Sequence, residues 1–354
     1  MNIPSSPRRA LAGAAALSLA LGLSACSALS SDSNSAAKAT TSSGALKVSA
    51  SFYPVQYLVQ AVGGDHVSVS SVTPTNVEPH DFELSPKDVT ALSSTSLIAY
   101  VSGFQPSLDD AVSEVSGPTV LDLAGDVDLE HHDGVEDEHE EEASAGSTDS
   151  ASASSTGSHN SEANESDPHF WLDPVRMKDA AVAVEAALAK ADPTHASDYE
   201  TNLKALEGAL GKLDTSFKDG LAQCKRTDVV TSHAAFGYLT ERYGLTQTSI
   251  SGVDPESEPS PADLAAVKKV VESTGTTTIF TEELVSPKTA EAVASETGAR
   301  TAVLSPIESA PETGDYASAM TTNLAELRTA LEAGVGRIIV DSLDELTHLA
   351  ALAA

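Results

Sequence analysis

Four short segments of this 354-residue chain carry side chains able to hold a metal ion. They read Glu78-Pro79-His80-Asp81-Phe82-Glu83, Asp167-Pro168-His169-Phe170-Trp171-Leu172-Asp173-Pro174, Thr231-Ser232-His233-Ala234-Ala235-Phe236 and Leu304-Ser305-Pro306-Ile307-Glu308. Imidazole nitrogens and carboxylate oxygens are donors for divalent metals, and zinc takes them in a tetrahedral shell. A single histidine in a turn is more often a surface or hydrogen-bonding residue, so the weight lies in their recurrence. Bond chemistry has less to build on. No His-Glu-x-x-His helix, Gly-x-Ser-x-Gly elbow or phosphate-cradling Gly-x-x-x-x-Gly-Lys loop occurs. A zinc-dependent hydrolase stays as an alternative that turnover of phosphate, ester or peptide substrates would test.

The elements that must position these segments alternate in type. In the first half, 46–50, 66–73, 97–101 and 119–123 read as strands, and 54–62, 86–93 and 107–115 as helices. Two longer helical stretches follow, 175–191 and 195–222. In the second, Leu203, Leu206, Leu210, Leu213 and Phe217 recur at steps of three and four, which marks one buried face. The alternation resumes with strands 228–232, 246–251, 277–281 and 301–304 and helices 235–243, 262–273, 287–296 and 316–331. Repeated strand-helix units imply parallel sheets covered by helices. The expected fold is α/β: two lobes, each a parallel sheet flanked by helices, joined by a long linker helix. The N-terminal lobe spans 45–191, the linker helix 192–224 and the C-terminal lobe 225–354. Ligands of open parallel sheets bind at the carboxyl ends of strands, where the metal-competent turns fall.

Composition narrows the function. With 20 Lys+Arg against 52 Asp+Glu, the formal net charge of −32 argues against nucleic acid as a partner. Two cysteines cannot staple a chain of this length, and cores with 4% aromatics must be built from Ala, Val and Leu. Arg8 and Arg9 precede an apolar run over 10–23, whose fourteen residues are too few to span a bilayer. The run leads into Leu23-Ser24-Ala25-Cys26, which matches a bacterial lipobox. Residues 1–25 are therefore expected to be a lipoprotein signal peptide, Cys26 the acylated N-terminus, and 26–44 a flexible tether from the outer face of the cell membrane. Cys224 is then the one remaining thiol and reads as a small buried hydrophobe. A second break spans 126–167, with fourteen acidic residues, four histidines (His131, His132, His139, His159) and no Lys or Arg. It is expected to be a disordered loop inside the N-terminal lobe, because it has too little apolar surface to offset its ordering entropy.

The two signatures Glu78-Pro79-His80-Asp81 and Asp167-Pro168-His169-Phe170-Trp171-Leu172, in this order, resemble the metal-specific solute-binding proteins of ABC transporters, and more closely the zinc-type lipoproteins among them. The resemblance runs from Leu46 to about Leu331 and includes the acidic loop. It implies His80, His169 and His233 as metal ligands, with a carboxylate of the last turn as the fourth. Many relatives carry Asp where this chain has Ser305, and another branch uses a Glu that aligns with Glu308, so Glu308 is the expected fourth ligand, with water as the alternative. Three imidazoles and one carboxylate suit Zn²⁺, whereas manganese-type members place a carboxylate at the position of His233. The resemblance further implies a protein that captures Zn²⁺ and passes it to a membrane permease driven by a cytoplasmic ATPase. A monomer and small lobe movements are expected. It also implies that His131, His132 and His139 could form an auxiliary metal site; a solvated acidic spacer is the other reading. A manganese-binding member and a surface adhesin are the remaining alternatives. Glu282 and Glu283 could orient a ligand or simply be solvated.

Overall fold

The computed structural model describes residues 44–132 and 166–333. The expected signal peptide, Cys26, the tether up to residue 43, His139, His159 and His348 lie outside the described residues.

Short strands alternating with helices build two sheets of the same topology. The first contains β1 (Leu46–Ala50), β2 (Val67–Ser71), β3 (Leu97–Tyr100) and β4 (Thr119–Asp122), all parallel, in the order β2-β1-β3-β4. The second contains β5 (Asp228–Thr231), β6 (Thr246–Ser249), β7 (Thr278–Thr281) and β8 (Arg300–Val303), again parallel, in the order β6-β5-β7-β8. In both, the first strand lies inside the sheet and the chain winds to one edge and then to the other. Each sheet thus has a switch point at the carboxyl ends of its first and third strands, the usual place for a ligand.

The period-two alternation of the strands serves two cores. Leu97 and Ala99 of β3 join the main core while Ile98 faces a smaller cluster with Leu92 and Leu108. In the second sheet Val229 and Phe280 join the main core, and Val230 and Ile279 face a cluster with Val267 and Val271. The helices are α1 (Tyr53–Gly63), α2 (Pro86–Leu92), α3 (Pro106–Glu114), α4 (Pro174–Ala191), α5 (Ala196–Leu221), α6 (Gly237–Tyr243), α7 (Pro261–Thr274), α8 (Lys288–Thr297) and α9 (Tyr316–Ala330). Local chemistry sets their ends. Proline stands in the first turn of α1, α2, α3, α4 and α7, where its missing N–H costs nothing. Ser85 with Asp88 and Ser260 with Asp263 form reciprocal capping boxes. Helix α7 stops at Gly275, whose φ of 67° a side chain would disfavour.

Helix α5 is the spine of the molecule. Its Leu203, Leu206, Leu210, Leu213 and Phe217 are buried as their spacing predicts, and it packs on α1 and α4 of the first half and on α9 of the second. One continuous core therefore runs from Val48 to Leu327 across both lobes. Cys224 is partly buried against this core as a free thiol.

Three expectations change in detail. The linker helix starts four residues later than residue 192, because Asp192 caps a separate 3₁₀ turn over Pro193–His195 by accepting from Thr194 N. Strand β2 is confined to Val67–Ser71 because its partner β1 offers five residues for pairing. The segment 126–167 is not disordered at its ends. Val127 is buried in the main core, Asp167 is fully buried, and Asp167 N donates to Glu130 O at 2.8 Å, joining the two ends. Average composition over the segment conceals these few residues, which have apolar or hydrogen-bonding partners elsewhere. Residues 133–165 lie outside the described residues.

Candidate metal centre

The turn after β2 carries His80. Glu78 accepts from the backbone N–H groups of His80 (2.9 Å) and Asp81 (3.1 Å), and buried Gln105 donates to Pro79 O (2.9 Å) and to Thr73 Oγ1 (2.8 Å). The His80 ring stands edge-on to Phe104, with centroids 4.5 Å apart. The turn is thereby held by the side chains of Glu78 and Gln105, and the imidazole by an aromatic wall.

His169 precedes a 3₁₀ turn, Phe170–Leu172, that leads into α4. Asp167 Oδ1 accepts from His169 N at 2.9 Å and lies 2.7 Å from its Nδ1. Trp171 packs against the same ring and donates from Nε1 to Pro306 O at 2.7 Å, which ties the His169 turn to the turn bearing Glu308.

His233 stands two residues beyond the end of β5. Thr231 Oγ1 donates to His233 O (2.7 Å), and Ala234 N donates to Gly252 O (2.9 Å). Glu282, at the end of β7, lies with Oε2 2.7 Å from His233 Nδ1, in ion-pair range though without in-line hydrogen-bond geometry. Ser232 donates to the other oxygen of Glu282. Of the two candidates for orienting a ligand, Glu282 is therefore the one in place.

Glu308 follows β8 through a turn with an unusual backbone. Ile307, buried and β-branched, has φ of 58°, a left-handed conformation that such a residue adopts only when its surroundings impose it. Buried Asn323 supplies part of that constraint, accepting from Ser305 N (2.9 Å) and donating to Ser305 O (2.7 Å). Ile307 N donates to Ser305 Oγ at 3.2 Å, and Trp171 holds Pro306 from the opposite lobe. Both lobes thus aim the carboxylate.

These turns converge. Glu308 Oε1 is 3.3 Å from His80 Nε2, 3.5 Å from His169 Nε2 and 3.8 Å from His233 Nε2, and the last two nitrogens are 3.3 Å apart. A tetrahedron with metal–nitrogen bonds of ~2.0–2.1 Å has edges of ~3.3 Å. The four donor atoms lie within 4.8 Å of one another, and all four residues are buried. His80 retains 8% exposure, against 0% for His169 and His233, so it faces the solvent side. With Nδ1 turned toward Asp167 and Glu282, His169 and His233 present their Nε2 lone pairs inward, the arrangement in which a carboxylate fixes tautomer and orientation.

Charge makes the same case. Asp167, Glu282 and Glu308 are buried, and their ionic partners are histidines rather than Lys or Arg. Buried carboxylates need a compensating positive charge. Burial disfavours the imidazolium of His169, but Asp167 and Glu308 outweigh it and push its pKa up to about 9. Burial would raise the Glu308 carboxyl, yet His169 and His80 hold it well below the usual carboxylate range. The site is built to contain a cation, whether protons or a metal.

Other histidines are elsewhere. His66 and His195 stack with centroids 3.8 Å apart and pair with Asp198 and Asp192. His132 reaches Asp167 and Glu241, and with Glu130 and Glu241 it forms a second, more exposed group of donors, whereas His131 is not among them. The contact of Asp167 with His169 was missed in the sequence, although a carboxylate two residues before a candidate ligand histidine was a visible signal. Asn323 and the left-handed Ile307 left no sequence signal.

Fold and site together define a class: a two-lobed α/β binding protein with cation donors gathered between its lobes. Residues 48–330 match the family described as zinc-uptake complex component A, periplasmic (ZnuA), and the chain belongs to that family. It is 32% identical over 311 residues to the zinc-binding protein AdcA of Streptococcus pyogenes, covering 82% of this chain and 57% of that protein. The chain thus spans little more than half the length of that relative. It is 32% identical over 300 residues to the high-affinity zinc uptake system protein ZnuA of Bacillus subtilis, covering 81% of this chain and 88% of that one. Among solved structures, the Zn(II)-bound ZnuA-like domain of Streptococcus pneumoniae AdcA superposes with a TM-score of 0.64 at 28% identity, over 82% of this chain and 100% of that one. The laminin-binding protein Lmb of Streptococcus agalactiae, titled a bifunctional protein with adhesin and metal-transporting activity, gives 0.68 at 30% identity, over 81% of this chain and 99% of that one.

Proposed function

We propose that this protein is the extracytoplasmic solute-binding component of an ABC transporter for zinc uptake. It captures Zn²⁺ with His80, His169, His233 and Glu308 and delivers it to a membrane permease driven by a cytoplasmic ATPase. The observation that carries this reading is the convergence of three Nε2 atoms within 3.3 to 3.8 Å of one carboxylate oxygen, near the edge length of a tetrahedral zinc shell. Family membership and the names of its relatives support zinc as the cargo. A relative in Streptococcus pneumoniae is named a zinc-binding lipoprotein, which supports the lipobox reading in which acylated Cys26 anchors the chain to the outer face of the membrane. The protein works as a monomer, by binding and release without bond chemistry. Four protein donors fill a tetrahedral shell, whereas a catalytic zinc keeps a position for water or substrate.

The test is elemental analysis of the purified protein, with zinc and manganese in competition, on wild type and on His169→Ala and His195→Ala. One tight zinc per chain is expected, lost in His169→Ala and kept in His195→Ala. Equal effects of the two substitutions, or preference for manganese, would reject the assignment.

A further inference from the structure

The root of the acidic segment is clamped to the opposite lobe. Tyr238 of α6 donates from its hydroxyl to Asp167 O (2.6 Å) and accepts from Glu130 N (2.8 Å). Arg176 of α4 lies over the Tyr238 ring, 4.5 Å from its centroid, and donates to Val127 O at 2.7 Å. His132 then folds back onto this clamp. Its ring stands edge-on to Tyr238 with centroids 4.4 Å apart, and it occupies space that a side chain at Gly237 would take. A Cβ at position 237 would stand 2.3 Å from His132 Cγ, so the glycine is what admits the ring.

In this seat His132 Nδ1 lies 2.7 Å from Asp167 Oδ2, while Asp167 Oδ1 serves His169 through both its backbone N–H and its Nδ1. Asp167 is fully buried and both of its oxygens are in use. A buried carboxylate with one oxygen unpartnered is costly and free to turn. Removing His132 would therefore release the rotamer of Asp167, and with it the ring orientation and donor strength of His169. Building on the zinc reading of the site, we infer that His132 is a positioning residue for the metal centre, acting through Asp167 to hold His169 and so coupling the root of the acidic segment and α6 to the bound metal.

A metal at His132 itself is the rival use of the same residue, because Glu130, His132 and Glu241 place donor atoms within 4.8 Å. Of these three residues, Glu130 is already engaged by Arg176, and His132 has only Nε2 to offer because its Nδ1 faces Asp167. That leaves His132 Nε2 and Glu241, 3.4 Å apart, which favours the positioning role.

The experiment uses the full chain and compares wild type, His132→Ala, His132→Asn, Gly237→Ala and the distant control His195→Ala. Zinc affinity is read by competition with a chromophoric chelator, zinc content by elemental analysis, and ligand geometry by the visible spectrum of the cobalt-substituted protein. Removing the orienting partner of a ligating histidine typically weakens metal binding by 10- to 100-fold, so His132→Ala, one bond further out, is expected to lose roughly tenfold. It should still hold one zinc, with a shifted cobalt spectrum. Gly237→Ala should reproduce the loss by displacing the ring. His132→Asn, whose amide can donate to Asp167, should restore most of the affinity, and the control should match wild type. Unchanged affinity in His132→Ala, no recovery in His132→Asn, or loss of a second zinc with His132 overturns the inference alone. Absence of tight zinc in the wild type overturns the site reading and this inference with it.

Discussion

On the proposed assignment of the site, zinc displaces a proton to enter, and the structure indicates which one. His169 has Asp167 Oδ1 at 2.7 Å from Nδ1 and Glu308 Oε1 at 3.5 Å from Nε2. Burial opposes the charge on the ring, the two carboxylates outweigh burial, and the pKa stands at about 9. At pH 7.5 such a group is about 97% protonated, so nearly every binding event must release one proton from it. The apparent affinity should then rise about tenfold per pH unit, about 1.4 kcal/mol, and level off above pH 9. Titration calorimetry at pH 7.5 in buffers of different ionisation enthalpy measures the released protons as the slope of observed heat against buffer heat. A slope near one is expected. A slope of zero together with an affinity that stays flat between about pH 6.5 and 8.5 would refute the reasoning, because no proton would then be competing at His169.

Other consequences follow from the same geometry. The raised pKa of His169 means that its protonation stabilises the metal-free fold in full below about pH 6.5, a contribution lost as pH rises through about 9. Thermal unfolding of the metal-free protein should therefore occur at lower temperature at pH 9.5 than at pH 6.5, and zinc-saturated protein should not show this loss. Trp171→Phe removes the N–H that satisfies Pro306 O and should cost about 1–3 kcal/mol of stability by denaturant titration. It should also speed zinc dissociation in stopped-flow chelation, since the turn bearing Glu308 loses its tie to the other lobe; an unaltered rate would mean that the tie does not hold the ligand. Glu308→Gln keeps the volume but removes the charge, and should lower zinc affinity more than Glu283→Gln in the same competition assay.

Elements governed by short-range rules were legible in the sequence. The Leu203-to-Phe217 repeat announced the buried face of α5, because that signal depends on neighbours within one or two turns. The placement of His80, His233 and Glu308 beyond strand ends follows from the same local reading combined with the geometry of parallel sheets. Pairings across long stretches of chain were less visible. Glu282 and Glu283 are adjacent in sequence, and only the path of the chain beyond β7 puts Glu282 beside His233. Val127 and Asp167 sit in a segment whose average composition predicts disorder, yet each is buried by partners far away. Residue types alone would put the acid limb of zinc binding near the ordinary imidazole value of ~6.5. The two carboxylates beside His169 move it upward, an effect that needs distances rather than residue types.

Attraction and selection are separate tasks in this molecule, and different residues carry them. The net charge of −32, to which the fourteen acidic residues of 126–167 contribute, draws in any cation. Such a field is screened within ~8–10 Å at physiological ionic strength and discriminates little between divalent ions. Selection begins where water is excluded. An ion that demands six or more oxygens finds there one inward carboxylate oxygen and three Nε2 atoms, with the buried carboxylates Asp167 and Glu282 turned to the outer side of the imidazoles. Those two acids therefore add negative charge to the site without adding oxygen to the shell. The arrangement strengthens binding of a doubly charged ion while keeping the donor set rich in nitrogen, which is the combination that favours zinc over manganese.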